Sequence, residues 1–252
     1  MALVNVESGG TIRTVTLNRP EKRNALTSAM LELLLGAFVE PGADERVAVI
    51  RSEGPVFCAG LDLRERESSR AAGGASPIEG VLEAIEHYPL PVVAVVQGDA
   101  IAGGNELALH CDFVVASATA RFGMSLAQIG LAPTWFLAKK LLEVAGPVAT
   151  REILLLGDPI PATRMRELGI IARVAEPEAL AASADAIIQR LAANAPLSLR
   201  AMKAVLVREM KFRDGIEHGD VDRMVATAQA SEDAHEGIAA RLEKRSPHFR
   251  GR

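Results

Sequence analysis

Apolar and polar positions alternate with a period of two from Leu3 to Glu7 and from Thr11 to Leu17, with Val15 and Leu17 set against Thr14 and Thr16. This pattern predicts two strands joined at Gly9-Gly10 as an N-terminal hairpin. Asn18-Arg19-Pro20 breaks it. From Ser28 to Val39 the period changes, because Met30, Leu33, Leu34 and Phe38 recur at helical spacing. Val47–Ile50 and Val92–Val96 are continuous β-branched-rich runs bounded by turn residues, the pattern of strands buried on both faces of a parallel sheet. Helix resumes near Ile78, and after Asp112–Val115 the chain reads as mainly helical, so that strand–helix alternation stops. Leu180, Ala184, Ile187, Ile188 and Leu191 form one apolar stripe. Ser68–Ser76, rich in Ser, Ala and Gly, reads as a mobile loop beside a site rather than a linker.

These elements define an α/β core over residues 1–194 and a helical region over 195–252, whose helices, no longer following strands, must cover another surface such as a neighbouring subunit. The 252 residues are 49% hydrophobic but only 4% aromatic, which implies a large aliphatic core. A net charge of −4 with scattered Lys and Arg argues against a nucleic-acid partner. No window is long and apolar enough for a membrane span, and Met1–Gly10 lacks the plan of a signal peptide. The two cysteines, Cys58 and Cys111, form no CxxC pair and are expected to be reduced, which fits a cytoplasmic protein.

Two glycine-containing turns carry the candidate chemistry: Phe57-Cys58-Ala59-Gly60-Leu61-Asp62, and Gly98 through Gly103-Gly104-Asn105-Glu106, each following a buried strand. Parallel neighbouring strands would set these turns side by side, where the Leu61 and Gly103 amides can converge. Two such donors suit a developing oxyanion, and a helix starting at Gly103 or Gly104 adds partial positive charge there.

Competing motifs are weaker. Gly104 stands where a phosphate-binding loop needs lysine. Gly123-Met124-Ser125-Leu126-Ala127 falls one residue short of a nucleophile elbow and lacks its strand–helix setting. His110-Cys111-Asp112 has no second ligand cluster, so no metal is expected. Asp62 reads as a cap, Cys58 as a small packing residue, and Lys139-Lys140 and Lys244-Arg245 as solvated faces.

Leu17-Asn18-Arg19-Pro20 with Asn24-Ala25-Leu26, then Phe57 through Leu63, then Gly98 through Glu106, resemble the crotonase (enoyl-CoA hydratase/isomerase) family in order and spacing. The resemblance continues through Arg121-Phe122-Gly123 and Gly130-Leu131-Ala132-Pro133 to Glu236-Gly237 and Phe249-Arg250-Gly251. It implies a crotonase-like fold of repeated ββα units with a C-terminal helical region, assembled as homotrimers or as hexamers made of two trimers. It also implies acyl-CoA or enoyl-CoA thioesters as substrates, with coenzyme A as part of the substrate and no other cofactor. Leu61 and Gly103 would supply the oxyanion amides, and the backbone near Lys22, Arg23, Asn24, Ala59 and Leu61 would lie along the coenzyme A. Hydratases of the family use two glutamates. Glu106 matches the first, but Leu126 occupies the second position, with Gln128 the nearest polar side chain. The expected activity is therefore that of a hydratase-like lyase with Glu106 as its acid/base. The alternatives are a non-catalytic acyl-CoA binder, or a hydrolase, decarboxylase or isomerase on the same scaffold.

Overall fold

The computed structural model describes residues 2–65 and 78–252. The Ser68–Ser76 stretch lies outside the described residues. β1 (Val4–Gly9) and β2 (Ile12–Leu17) form the expected hairpin, in a register pairing Val4 with Leu17 and Gly9 with Ile12. α1 (Ser28–Ala37) starts where the Thr27 hydroxyl accepts the Met30 N–H at 3.2 Å. It ends at Ala37, two residues short of the expected Val39, with Phe38 already outside helical backbone and Pro41 close behind.

β3 (Val47–Ser52), β4 (Val92–Val96), β6 (Phe113–Ser117) and β9 (Arg173–Ala175) extend the sheet in parallel, giving the order β1-β2-β3-β4-β6-β9. Both faces are covered, as the continuous apolar runs require. Ala48, Ile50, Val92, Ala94 and Val96 enter the larger core beneath α1 and α2 (Glu79–His87). Val47, Val49, Val93, Val95 and Val115 face the opposite way. The expected stripe covers them: α6 (Leu180–Ala192) buries Leu180, Ala184, Ile188 and Leu191 on that face.

Strand formation does not stop after Val115, contrary to the reading above. β5 (Ala100–Ile101), β7 (Arg121–Gly123) and β8 (Ile160–Pro161) form a small second sheet, and β9 returns to the main one beyond α4 (Trp135–Arg151) and α5 (Ala162–Glu167). Strands of two or three residues are too short for a period to show, and their partners alone define them. Between β5 and β6 runs α3 (Gly103–Leu109), a helix of seven residues.

Beyond residue 195 lie α7 (Pro196–Glu209), α8 (Gly219–Ala230) and α9 (Glu232–Glu243). α7 is tied to the core by Lys203, whose buried ammonium donates to Ile85 O at 3.3 Å and Leu90 O at 3.1 Å and pairs with Asp112 at 2.7 Å. We expect Lys203→Met to lower stability by about 1–3 kcal/mol by leaving these acceptors unpaired. An unchanged urea midpoint would show that the anchor contributes nothing. α9 docks through Gly237, where an added Cβ would lie 2.4 Å from the backbone of Ile129. Across the same contact, one added to Gly130 would lie 2.5 Å from Asp233 O.

Candidate active site

A parallel bridge between Cys58 and Ala100 brings the two glycine turns together, with Ile101 N–H donating to Cys58 O at 2.9 Å and Cys58 N–H to Asp99 O at 3.2 Å. Gly60 sits at φ +89, and a methyl placed on it would lie 3.1 Å from the Gly103 nitrogen. One placed on Gly103 would lie 3.5 Å from the Leu61 nitrogen. The two amides thus share one small space. Leu26 takes up the neighbouring groups, its N–H donating to Gly60 O at 2.8 Å and its carbonyl accepting Asp62 N–H at 2.9 Å. In a strand-like bridge the intervening Leu61 N–H points the other way. Among the described residues neither it nor the Gly103 N–H has a protein acceptor.

Ala102 makes the turn into α3 at φ +50 and ψ −118, a conformation that L-residues rarely adopt and that costs about 1–3 kcal/mol. Its N–H is pinned to Gly123 O at 2.7 Å. The strain falls on the residue immediately before the Gly103 donor.

Glu106, one turn into α3, is fully buried, and neither carboxyl oxygen has a hydrogen-bond partner. Burial pushes its pKa up to about 8, opposed by the positive charge of Lys140. At neutral pH it is mainly a carboxylic acid, with both oxygens free to act. Leu126, at the position where family hydratases carry the second glutamate, is buried in the apolar core at the start of the turn Ala127–Ile129. Gln128 is no substitute, because its amide donates to Leu156 O at 3.2 Å and Asp158 Oδ1 at 2.9 Å.

The residues read as coenzyme A contacts divide into two kinds. Lys22 and Arg23 are exposed beside the Cys58–Leu61 turn, to which Arg23 O is joined by accepting Ala59 N–H at 3.0 Å. Asn24 is buried at φ +52 with its polar groups committed. Its amide nitrogen donates to Glu53 O and Val56 O, both at 2.9 Å, and its Oδ1 accepts Arg19 N–H at 2.8 Å. Its side chain shapes the turn whose backbone is the expected coenzyme A contact.

Asp62 pairs with Arg19 at 2.8 Å and caps Arg64 N–H at 3.0 Å, a structural role. The Cys58 thiol is pushed up to about 12 by burial, which leaves it un-ionised. Ser125 donates to Gly157 O at 2.8 Å and is no nucleophile. Among the described residues no group of three or more His, Cys, Asp or Glu could hold a metal, and no helix is long and apolar enough to cross a membrane.

Lys139 and Lys140 are not solvated, contrary to the expectation. Lys140 lies between Glu86 at 3.1 Å and Glu143 at 3.2 Å, with its side chain 13% exposed. Behind Glu106, capping the C-terminal end of the same helix, stands His110, its side chain fully buried and stacked on Phe136 at 5.3 Å. The spacing of four between Glu106 and His110 is visible in the sequence. Glu86 and Lys140 come from two other helices, and no local signal announces them.

A family model described as enoyl-CoA hydratase/isomerase matches residues 7–252. A putative enoyl-CoA hydratase of Thermus thermophilus is 35% identical, over 98% of this chain and 100% of its own. A 2,3-dehydroadipyl-CoA hydratase of Escherichia coli is 33% identical, over 94% of each chain. Among solved structures, a methylmalonyl-CoA decarboxylase complexed with 2S-carboxypropyl-CoA overlays with a TM-score of 0.91 at 26% identity, over 100% of this chain and 99% of that one.

Proposed function

This chain belongs to the enoyl-CoA hydratase/isomerase family, and from that premise we propose that it adds water to an enoyl-CoA thioester using Glu106 as its one acid/base. The observation that carries this reading is the Glu106 carboxyl, fully buried and free at both oxygens, where burial raises its pKa to about 8 and favours the acid form. A protonated carboxyl can hold both roles that two glutamates would otherwise divide. Water bonds to Cβ, and the electron pair of the double bond passes through Cα to the thioester oxygen, held by the Leu61 and Gly103 N–H groups. The proton on one Glu106 oxygen goes to Cα as the carbonyl re-forms. The proton released by water goes to the other oxygen, so Glu106 ends as it began.

Lys22 and Arg23 lie at the rim to meet the phosphates of coenzyme A, and the Ala59–Leu61 backbone lies along the thioester arm. The reaction so written is complete with amides, one carboxyl and water, and it calls for no metal or redox group. Exposed Leu197, Met202, Val205, Leu206 and Met224 give the C-terminal helices an apolar surface suited to the trimer of the family reading.

Loss of carbon dioxide is a second reading, favoured by the same lone carboxyl. Decarboxylation asks only for an oxyanion hole and a proton donor to Cα, and Leu126 then needs no replacement. Incubation with a panel of enoyl-CoA and carboxyacyl-CoA thioesters, read by mass, separates the outcomes. Gain of water supports hydration, loss of carbon dioxide supports decarboxylation, and free coenzyme A indicates hydrolysis. No product from any thioester that binds would mean a non-catalytic binder and would defeat both readings.

A further inference from the structure

The cluster behind Glu106 is unused by the chemistry above. His110 Nδ1 lies 2.8 Å from Glu106 O, and because a carbonyl only accepts, the ring carries its proton on Nδ1. Nε2 is therefore bare; it is buried without a hydrogen-bond partner, 4.0 Å from Glu86 Oε2. Burial and the nearby lysine charges depress the ring pKa to about 3, so His110 is neutral, and its approach to a protonated Glu106 is not an ion pair. Nδ1 stands 3.7 Å from Glu106 Oε2, just outside hydrogen-bond range. Phe136 stacks on one face of the ring and fixes its plane at 16° to its own.

We propose that His110 is a positioning residue for Glu106, its one N–H, held on the Glu106 carbonyl, being shared with carboxylate oxygen Oε2 in the step where Glu106 has released its proton. The proposal rests on the reading of Glu106 as the acid/base. A buried carboxylate with no donor would be costly, and the ring N–H is a side-chain donor already standing 3.7 Å from Oε2. The charged groups facing His110 are Glu86 from α2 and Lys139, Lys140 and Glu143 from α4. Lys140 compensates Glu86 and Glu143, so the ring meets a paired cluster instead of a bare charge.

Three substitutions test this. His110→Leu removes both ring nitrogens, His110→Asn keeps an amide N–H near the Nδ1 position, and His110→Gln places one near Nε2. His110→Leu should lower kcat about 10- to 100-fold with KM unchanged, and His110→Asn should restore most of the loss while His110→Gln does not. A second readout needs no substrate: the infrared band of the protonated carboxyl, isolated as wild type minus Glu106→Gln. Without the N–H the carboxylate is harder to form, so the band should persist to higher pH in His110→Leu than in wild type. Wild-type kcat and an unshifted band in His110→Leu would overturn the proposal. Should that variant not fold, His110→Asn performing no better than His110→Gln, with both binding butyryl-CoA normally, would overturn it equally. Glu106→Gln assayed in parallel separates the two levels. If it keeps full turnover, the acid/base reading itself fails; if it is inactive while the His110 variants match wild type, only the positioning role fails.

Discussion

Glu106→Gln should slow turnover by roughly 10²- to 10⁴-fold, the usual worth of a positioned acid/base, while leaving affinity for a saturated acyl-CoA unchanged. Glutamine keeps the shape and size of the side chain but cannot release a proton to Cα. The oxyanion amides are backbone groups of Leu61 and Gly103 and survive the substitution, so binding and carbonyl polarisation persist. The same variant has a stability signature of known sign. The Glu106 pKa is raised in the folded state, from 4.5 to about 8, so its contribution is fully present below pH 4.5 and is lost as pH rises through about 8. Glutamine carries no such penalty. Glu106→Gln should therefore melt like wild type in acid and become progressively more stable than wild type between pH 4.5 and 8, with a constant advantage beyond. An advantage that does not grow with pH would mean that Glu106 is already ionised in the folded protein.

Gly104→Ala should damage both the fold and the site. Its Cβ would lie 2.2 Å from Cys58 O and 2.7 Å from Cys58 Cβ. The obstacle is backbone, and Cys58 O already accepts Ile101 N–H in the bridge that joins the two turns. Relief requires the turns to part, which separates the Leu61 and Gly103 donors. A cost of about 1–3 kcal/mol or more in stability is expected, and a displacement of only about 1 Å at the donors is enough to lower kcat on the order of 10²-fold. Gly103→Ala is the control for stability, because the one tight contact of its Cβ is with the tip of Ile78, 2.8 Å away, which can move aside, while Gly60 Cα and the Leu61 nitrogen stand at 3.4 and 3.5 Å. Thermal melts of the two variants check the contrast, and turnover of Gly104→Ala checks the displacement of the donors. Equal behaviour would show that the clamp at Cys58 does not set the geometry.

Much of this arrangement was legible from residue order. Val92–Val96 reads as a buried parallel strand because apolar side chains on both faces leave no alternation, and the structure places it fourth among six strands. The glycine turns and Glu106 could be found because backbone donors need glycine beside them and their spacing is local. The family was legible for the same reason. Other features depend on contacts between distant segments. The ionic cluster of Glu86, Lys140 and Glu143 forms only when two helices cross behind α3, and a Lys-Lys pair in a sequence looks the same whether wet or buried. β9 exists because β6 offers an edge, with Val115 opposite Arg173, and its three residues carry no period of their own. The Asn24 side chain likewise finds its partners far along the chain, its buried amide donating to the carbonyls of Glu53 and Val56.

The docking of Gly237 on Ile129 has a consequence for the order in which this molecule is made. The segment carrying Leu126 and Gly130 leaves the ribosome well before α9, and at roughly 5–20 residues per second it waits several seconds for the surface that holds it. Five of the six strands of the main sheet and both glycine turns, by contrast, come from the first half of the chain and can assemble while synthesis continues. A nascent chain would thus acquire its oxyanion donors early and the support beneath Leu126 last, so that maturation of the site is timed by the arrival of the final helix.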